Sequence, residues 1–203
     1  MLAPLVLLAL AAAPGPLSVV KTADAEVQKV LAAPDATTEQ LAARADDFVD
    51  FAELAKRAMG AEWAKLSKKQ QDEFSRTMKG LLRASYAQKA VKDGRGGTAA
   101  KVDYGEEKVE GNEAMVSTKL NVKQDTYSVA YKLYRPDAKG SWRIYDVVTD
   151  EVSLVATYSD QFRQVMAKKG FEGLLKSLKT RQESLEKQNA EKPDAAVALP
   201  EKK

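Results

Sequence analysis

The chain contains no cysteine and no histidine. Without thiols there is no disulfide framework, no thiolate metal site and no cysteine nucleophile, and without imidazole the commonest general base and zinc ligand are missing too. No apolar run is long enough to cross a bilayer: the stretch from Leu5 to Ala13 stops at Pro14-Gly15-Pro16, whereas a spanning helix needs about 20 residues. Neither sign of charge dominates. Lys+Arg of 32 against Asp+Glu of 29 leave a net charge of +3, and the charges are interspersed rather than blocked, so there is no basic footprint for nucleic acid. What remains is a chain of 203 residues with 44% hydrophobic content, enough for one sizeable core, or one core and a small helical subdomain.

The N-terminus is the one segment that speaks to compartment. Residues 1–25 resemble a shortened signal peptide, with Ala9 to Ala11 and Ala23 to Ala25 as Ala-x-Ala cleavage sites. The basic region expected before the apolar stretch is missing, which leaves an Ala/Pro-rich leader without a targeting role as the other reading.

Beyond it the pattern turns helical and then alternating, within one domain over 26–188. Thr37-Thr38-Glu39-Gln40 and Ser67-Lys68-Lys69-Gln70 are capping boxes. The spacing predicts a short helix over Asp24 to Ala33 and a second from the first box through Asp50-Phe51 to Met59, stopped by Gly60. A long third runs from the second box to about Val91 and carries Phe74, Met78, Leu81 and Leu82 as one stripe. Asp93-Gly94-Arg95-Gly96-Gly97 closes this helical part, 26–92, and is a turn rather than a phosphate loop, since no strand leads into it. Within 98–149, strand patterns over Lys101 to Tyr104, Glu113 to Val122, Thr126 to Tyr134 and Trp142 to Val148 are joined by short links, which predicts an antiparallel meander. Each strand has one wet and one dry face, and the helices must cover the dry one. The fold expected is therefore α+β, a curved antiparallel sheet of about four strands against a helical layer. Two C-terminal helices over 153–188 follow, the first capped by Ser153 and ended by Gly170, and 189–203 reads as a disordered tail.

Asp146 interrupts this scheme. Strict alternation puts it on the face of Trp142 and Ile144, where an aliphatic side chain is expected. Two roles are open. It is a structural carboxylate, bonded to backbone N–H groups at the strand-to-helix junction or to an arginine such as Arg163, or it has a raised pKa and serves as acid or base in a small-molecule isomerase.

A tryptophan-led strand ending Tyr145-Asp146-Val147-Val148, then Val152-Ser153-Leu154-Val155, Gln161-Phe162 and Gly170-Phe171 through Leu174-Leu175 resembles the MlaC, or toluene-tolerance auxiliary, family. Upstream, Asp50-Phe51, Met59-Gly60, Trp63, Gln70-Gln71-Asp72-Glu73-Phe74, Leu81-Leu82 and Tyr86-Ala87 are similar to that family's N-terminal half. The resemblance runs from about Asp35 to Leu178 and lies in the order of its parts. Ser159 departs from the pattern, which has a basic residue there.

The resemblance implies an NTF2-like core with a helical N-terminal subdomain and a dry pocket between sheet and helices for the acyl tails of a phospholipid. The residues expected to line it are Trp63, Met78, Leu81, Leu82, Val116, Tyr127, Val129, Tyr131, Trp142, Ile144, Val155, Phe162 and Met166. It further implies a monomeric periplasmic carrier with no catalytic residues, metal, cofactor or mature membrane segment. Its partners would be an inner-membrane Mla transporter complex and an outer-membrane lipoprotein complex. Lys68, Lys69, Lys168 and Lys169 are candidates for docking or headgroup contacts, or plain solvated surface. On the residues alone, the same apolar surface also suits a closed core in an interaction or chaperone-like module.

Overall fold

A computed structural model describes residues 13–94, 101–122 and 124–191, with the backbone alone for 87–94. The apolar leader up to residue 12, the glycine cluster at 95–97 and the tail from 192 lie outside the described residues. Among the described residues there are five α-helices and five strands: α1 (Pro16–Leu31), α2 (Thr38–Phe48), α3 (Phe51–Met59), α4 (Lys68–Gly94), β1 (Lys101–Glu110), β2 (Glu113–Val122), β3 (Asp125–Tyr134), β4 (Arg143–Thr149), β5 (Val152–Ser153) and α5 (Leu154–Glu191). The sheet is an antiparallel meander in the order β1-β2-β3-β4-β5, one short strand more than the four expected.

Helix α1 begins well before Asp24, with Pro16 in its first turn. Leu17, Val20, Val27 and Leu31 recur at three, seven and four residues, which keeps them on one helical face. The N-terminal part of this stripe lies on the sheet, where Val20 is buried among Ala114, Val116, Leu133, Trp142 and Ile144. Val27 and Leu31 meet Ala36 and Leu41 at α2. Residues 16–25, assigned above to the leader, are thus packed structure, and cleavage after Ala25 would strip Val20 from the sheet. At the other terminus, Asn189 to Glu191 form the end of α5 rather than the start of a tail.

Both capping boxes form. Thr37 and Gln40 bond reciprocally, as do Ser67 and Gln70. The helix predicted to run from the first box to Met59 is instead broken at Val49-Asp50. Asp50 Oδ1 accepts from Ala52 N and Glu53 N and caps α3, while Val49 forms a parallel bridge with Ile144 and Asp50 N donates to Ile144 O at 2.8 Å. Arg143 completes the joint by donating to the carbonyls of Asp46, Asp47 and Val49. These carbonyls lie at the end of α2, where no intrahelical donor remains for them.

Two register shifts decide what the sheet presents. Strand β1 continues past Tyr104 through an irregularity that sets Glu107 opposite Val116 on the α1 side. There Glu107 accepts the N–H of Leu17 at 2.6 Å, a carboxylate placed on a free amide of the first helical turn. On β4, Leu133 pairs with Ile144 but Lys132 pairs with Asp146, so Tyr145 is the extra residue of a bulge. From there the alternation is inverted. Asp146 faces away from Trp142 and Ile144, and Val147 takes the place opposite Tyr131 on the apolar side. The strict alternation read from the sequence is corrected at that residue.

Candidate functional site

The apolar interior is divided. One cluster belongs to α3, α4 and α5 and centres on Phe74, whose ring lies 5.4 Å from Phe162, 6.1 Å from Phe171 and 6.4 Å from Trp63. A second belongs to the α1 face of the sheet, and a small third lies between α1 and α2. Of the residues expected to line a common pocket, Met78, Leu81, Leu82 and Phe162 are buried in the helical cluster, with Trp63, Val155 and Met166 partly buried against it. Val116, Trp142 and Ile144 are buried in the sheet cluster, with Tyr131 against it. Val129 is buried and Tyr127 partly buried outside both clusters. The structure thus divides most of these side chains between the two clusters and leaves Tyr127 and Val129 in neither. Among the clefts of the described residues are one of about 420 Å3 and one of about 320 Å3. The larger has Glu73, Lys176, Lys179 and Glu183 in its wall and the smaller Asp46, Arg76, Lys79 and Arg143, and neither includes any of the expected lining residues.

The two clusters are joined where β4 passes through β5 into α5. Asp146, 1% exposed, is the polar node of that junction. Its Oδ1 accepts from Val155 N at 3.0 Å, its Oδ2 accepts from Ser153 Oγ at 2.7 Å, and Lys132 Nζ lies 3.2 Å from Oδ2. Ser153 Oγ also accepts from Ala156 N, so Ser153 is the N-cap of α5 while bonded to the carboxylate. The cation is Lys132, across the strand pair; Arg163 bonds to Asp160 on the exposed face of α5. Lys132 stands out in the sequence as a wet-face lysine, but its pairing with Asp146 depends on the bulge. Val20 was missed for another reason: its stripe is regular, but it falls in the stretch that resembles a leader.

Next to Asp146 at the bulge, Arg57 lies 3.6 Å from the centroid of the Tyr145 ring and bonds to Glu53 and Glu113. Tyr134 packs edge-on to Tyr145 and donates its hydroxyl to Asp50. Burial holds the phenol pKa values up, to about 12 at Tyr131 and about 12 at Tyr145, and likewise upward at Tyr158. Tyr104 and Tyr134 are raised by burial and by their bonds to Asp24 and Asp50. The aromatic walls are thus uncharged at neutral pH. Among the described residues no acidic cluster of metal-binding size occurs, and no helix is long and apolar enough to cross a membrane.

The family model described as MlaC protein matches residues 18–180. No curated protein matches the chain. A solved structure described as the phospholipid-binding protein from Ralstonia solanacearum in complex with a phospholipid is similar in fold, with a TM-score of 0.76 at 24% identity. The alignment covers 85% of this chain and 99% of that one.

Proposed function

Because the chain belongs to the MlaC family, we propose that it is a periplasmic phospholipid carrier, moving glycerophospholipid between the inner and outer membranes of a Gram-negative bacterium. The observation that carries this reading is the family match over residues 18–180, which takes in α1, the whole sheet and most of α5. The bound phospholipid of the Ralstonia solanacearum protein supports it, since the two chains share a fold.

Transfer energetics give the mechanism. Each methylene removed from water is worth about 0.8 kcal/mol, so a diacyl lipid crosses water only inside an apolar sleeve. The seam between the two clusters is where that sleeve would open. Tyr131 and Val147 on the sheet side, and Leu154, Val155 and Tyr158 on the helical side, are only partly buried and flank the Asp146 junction. Tails entering there would part α5 from the sheet on the face that carries Asp146, while the inverted register of β4 turns Val147 to the α1 side. No catalytic group is needed for such a task, and Asp146 serves as the anchor of the junction. By family, the docking partners are an inner-membrane Mla transporter complex and an outer-membrane lipoprotein complex, met by the monomer.

The close packing of both clusters favours a second reading, a closed-core interaction module. Lipid analysis separates the two. Protein purified from a bacterial host is expected to show a lipid-bound mass in native mass spectrometry and to yield near-stoichiometric glycerophospholipid on extraction. An empty protein whose melting temperature is indifferent to added phospholipid would overturn the carrier.

A further inference from the structure

We infer that the end of the helical bundle formed by the start of α4 and the Gly170 turn of α5 is a docking surface for an anionic bilayer. Lys65, Lys68 and Lys69 lie on the passage into α4, and Lys168 and Lys169 are the last residues before the α5 break. All five are exposed. Tertiary contacts bring the two segments to one end of the molecule: Gln70 Nε2 lies 3.4 Å from Glu172 Oε1, and the rings of Phe74 and Phe171 are 6.1 Å apart.

The acidic groups at this end are engaged. Glu62 is bound to Lys65 at 2.7 Å, Asp72 to Lys68 at 2.5 Å, and Glu172 takes the amide of Gln70. Among the described residues Lys168 and Lys169 have no ion-pair partner, and Lys69 stands in the field of Glu73, whose direct partner is Lys179. With Glu73 and its partner Lys179 counted, six lysines stand against the four carboxylates Glu62, Asp72, Glu73 and Glu172, which leaves the end positive. Within the lysine rim, Trp63, Leu66 and Phe171 are partly buried, so apolar surface reaches solvent there. Lysines near a partly exposed tryptophan match the layered chemistry of a bilayer interface, with anionic headgroups outside and hydrocarbon beneath. An acidic protein would satisfy the charge but would not call for the indole. This inference stands on charge and exposure, independently of the carrier reading.

The test is co-sedimentation of the full chain with vesicles of phosphatidylcholine alone and of phosphatidylcholine mixed with phosphatidylglycerol. Binding is expected to the mixed vesicles only, weakening with added salt, with a blue shift of Trp63 emission, since the other tryptophan, Trp142, is already buried. Each lysine near an anionic surface contributes about five-fold in partitioning, so Lys68→Gln, Lys69→Gln, Lys168→Gln and Lys169→Gln together should cost at least about ten-fold. The same charge removed at exposed Lys29, Lys101, Lys139 and Lys187 should cost less than about two-fold. Equal losses in the two variants, meaning a net-charge effect, would overturn the proposal. So would a wild-type chain that ignores anionic vesicles, including one that an acidic protein captures instead. Co-purified lipid should be the same in both variants, so failure at the surface and failure of the carrier reading are distinguishable.

Discussion

Asp146 is held by a backbone amide, a serine hydroxyl and an ammonium group at once, and the bulge at Tyr145 is what turns it toward them. Desolvating a carboxylate is costly unless such partners compensate. Asp146→Asn keeps an acceptor for Val155 N but presents an amide to Lys132, so a loss of about 1–2 kcal/mol is expected. Asp146→Leu leaves the Val155 amide and the Ser153 hydroxyl unpaired and should cost more, about 2–4 kcal/mol. Lys132, 37% exposed, turns to water and limits the damage. Urea unfolding of both variants checks the order. If the two are equal, or Leu is the milder, the carboxylate does not anchor the junction. Retained lipid loading in Asp146→Asn would fit a structural residue, whereas turnover of a small apolar substrate lost in that variant would mark a catalytic one.

Helix α5 is two helices joined by one residue. Gly170 has φ +63° and ψ −172°, a conformation open essentially to glycine alone. The break reverses the chain so that Phe162 before it and Phe171 after it both pack on Phe74. No neighbour crowds a Cβ added there, so Gly170→Ala isolates the backbone term. It should cost about 1–3 kcal/mol, read as a lower urea midpoint with an unchanged slope. A variant as stable as the parent would mean that the turn relaxes without the glycine conformation. The break between α2 and α3 has a different origin. Asp50 can sit inside a helix, and it ends one here because β4 offers Ile144 and Arg143 as partners for the Val49-Asp50 backbone.

Among the described residues the two larger of three apolar clusters meet at β4, with tyrosines close to both. Burial of those phenols couples stability to alkaline pH. An exposed tyrosine ionises near pH 10, whereas Tyr131 and Tyr145 are held up to about 12. A folded-state pKa above the unfolded value means that stability is full below about pH 10 and is lost as pH rises from about 10 toward 12. Melting temperature should fall across that window while the phenolate absorbance of the folded protein lags behind that of the urea-unfolded chain. Coincident titration of folded and unfolded protein would show that the rings are open to water. Neutral phenols also suit the seam proposed for the acyl tails, because a phenolate there would oppose apolar burial.

Much of this architecture is local and was readable from residues alone. Capping boxes at Thr37 and Ser67, the Gly170 break, the Ser153 cap and the bounds of β2 and β3 follow from hydrogen-bonding and steric preferences acting within a few residues. The α+β class follows from period-two alternation after period-3.6 stripes. What sequence could not determine lies where a distant partner outweighs local preference. β1 extends through the polar Gly105-Glu106-Glu107 because β2 supplies the ladder and the amide end of α1 supplies a partner for Glu107. α1 starts at Pro16 because the sheet offers Val20 a burial site. The face of Asp146, and the sorting of the expected pocket residues into two clusters, were decided by a single bulge and by the docking of α5 on β4. Strand alternation carries no memory of an inserted residue, so only the register of the neighbouring strand shows which side each later side chain occupies.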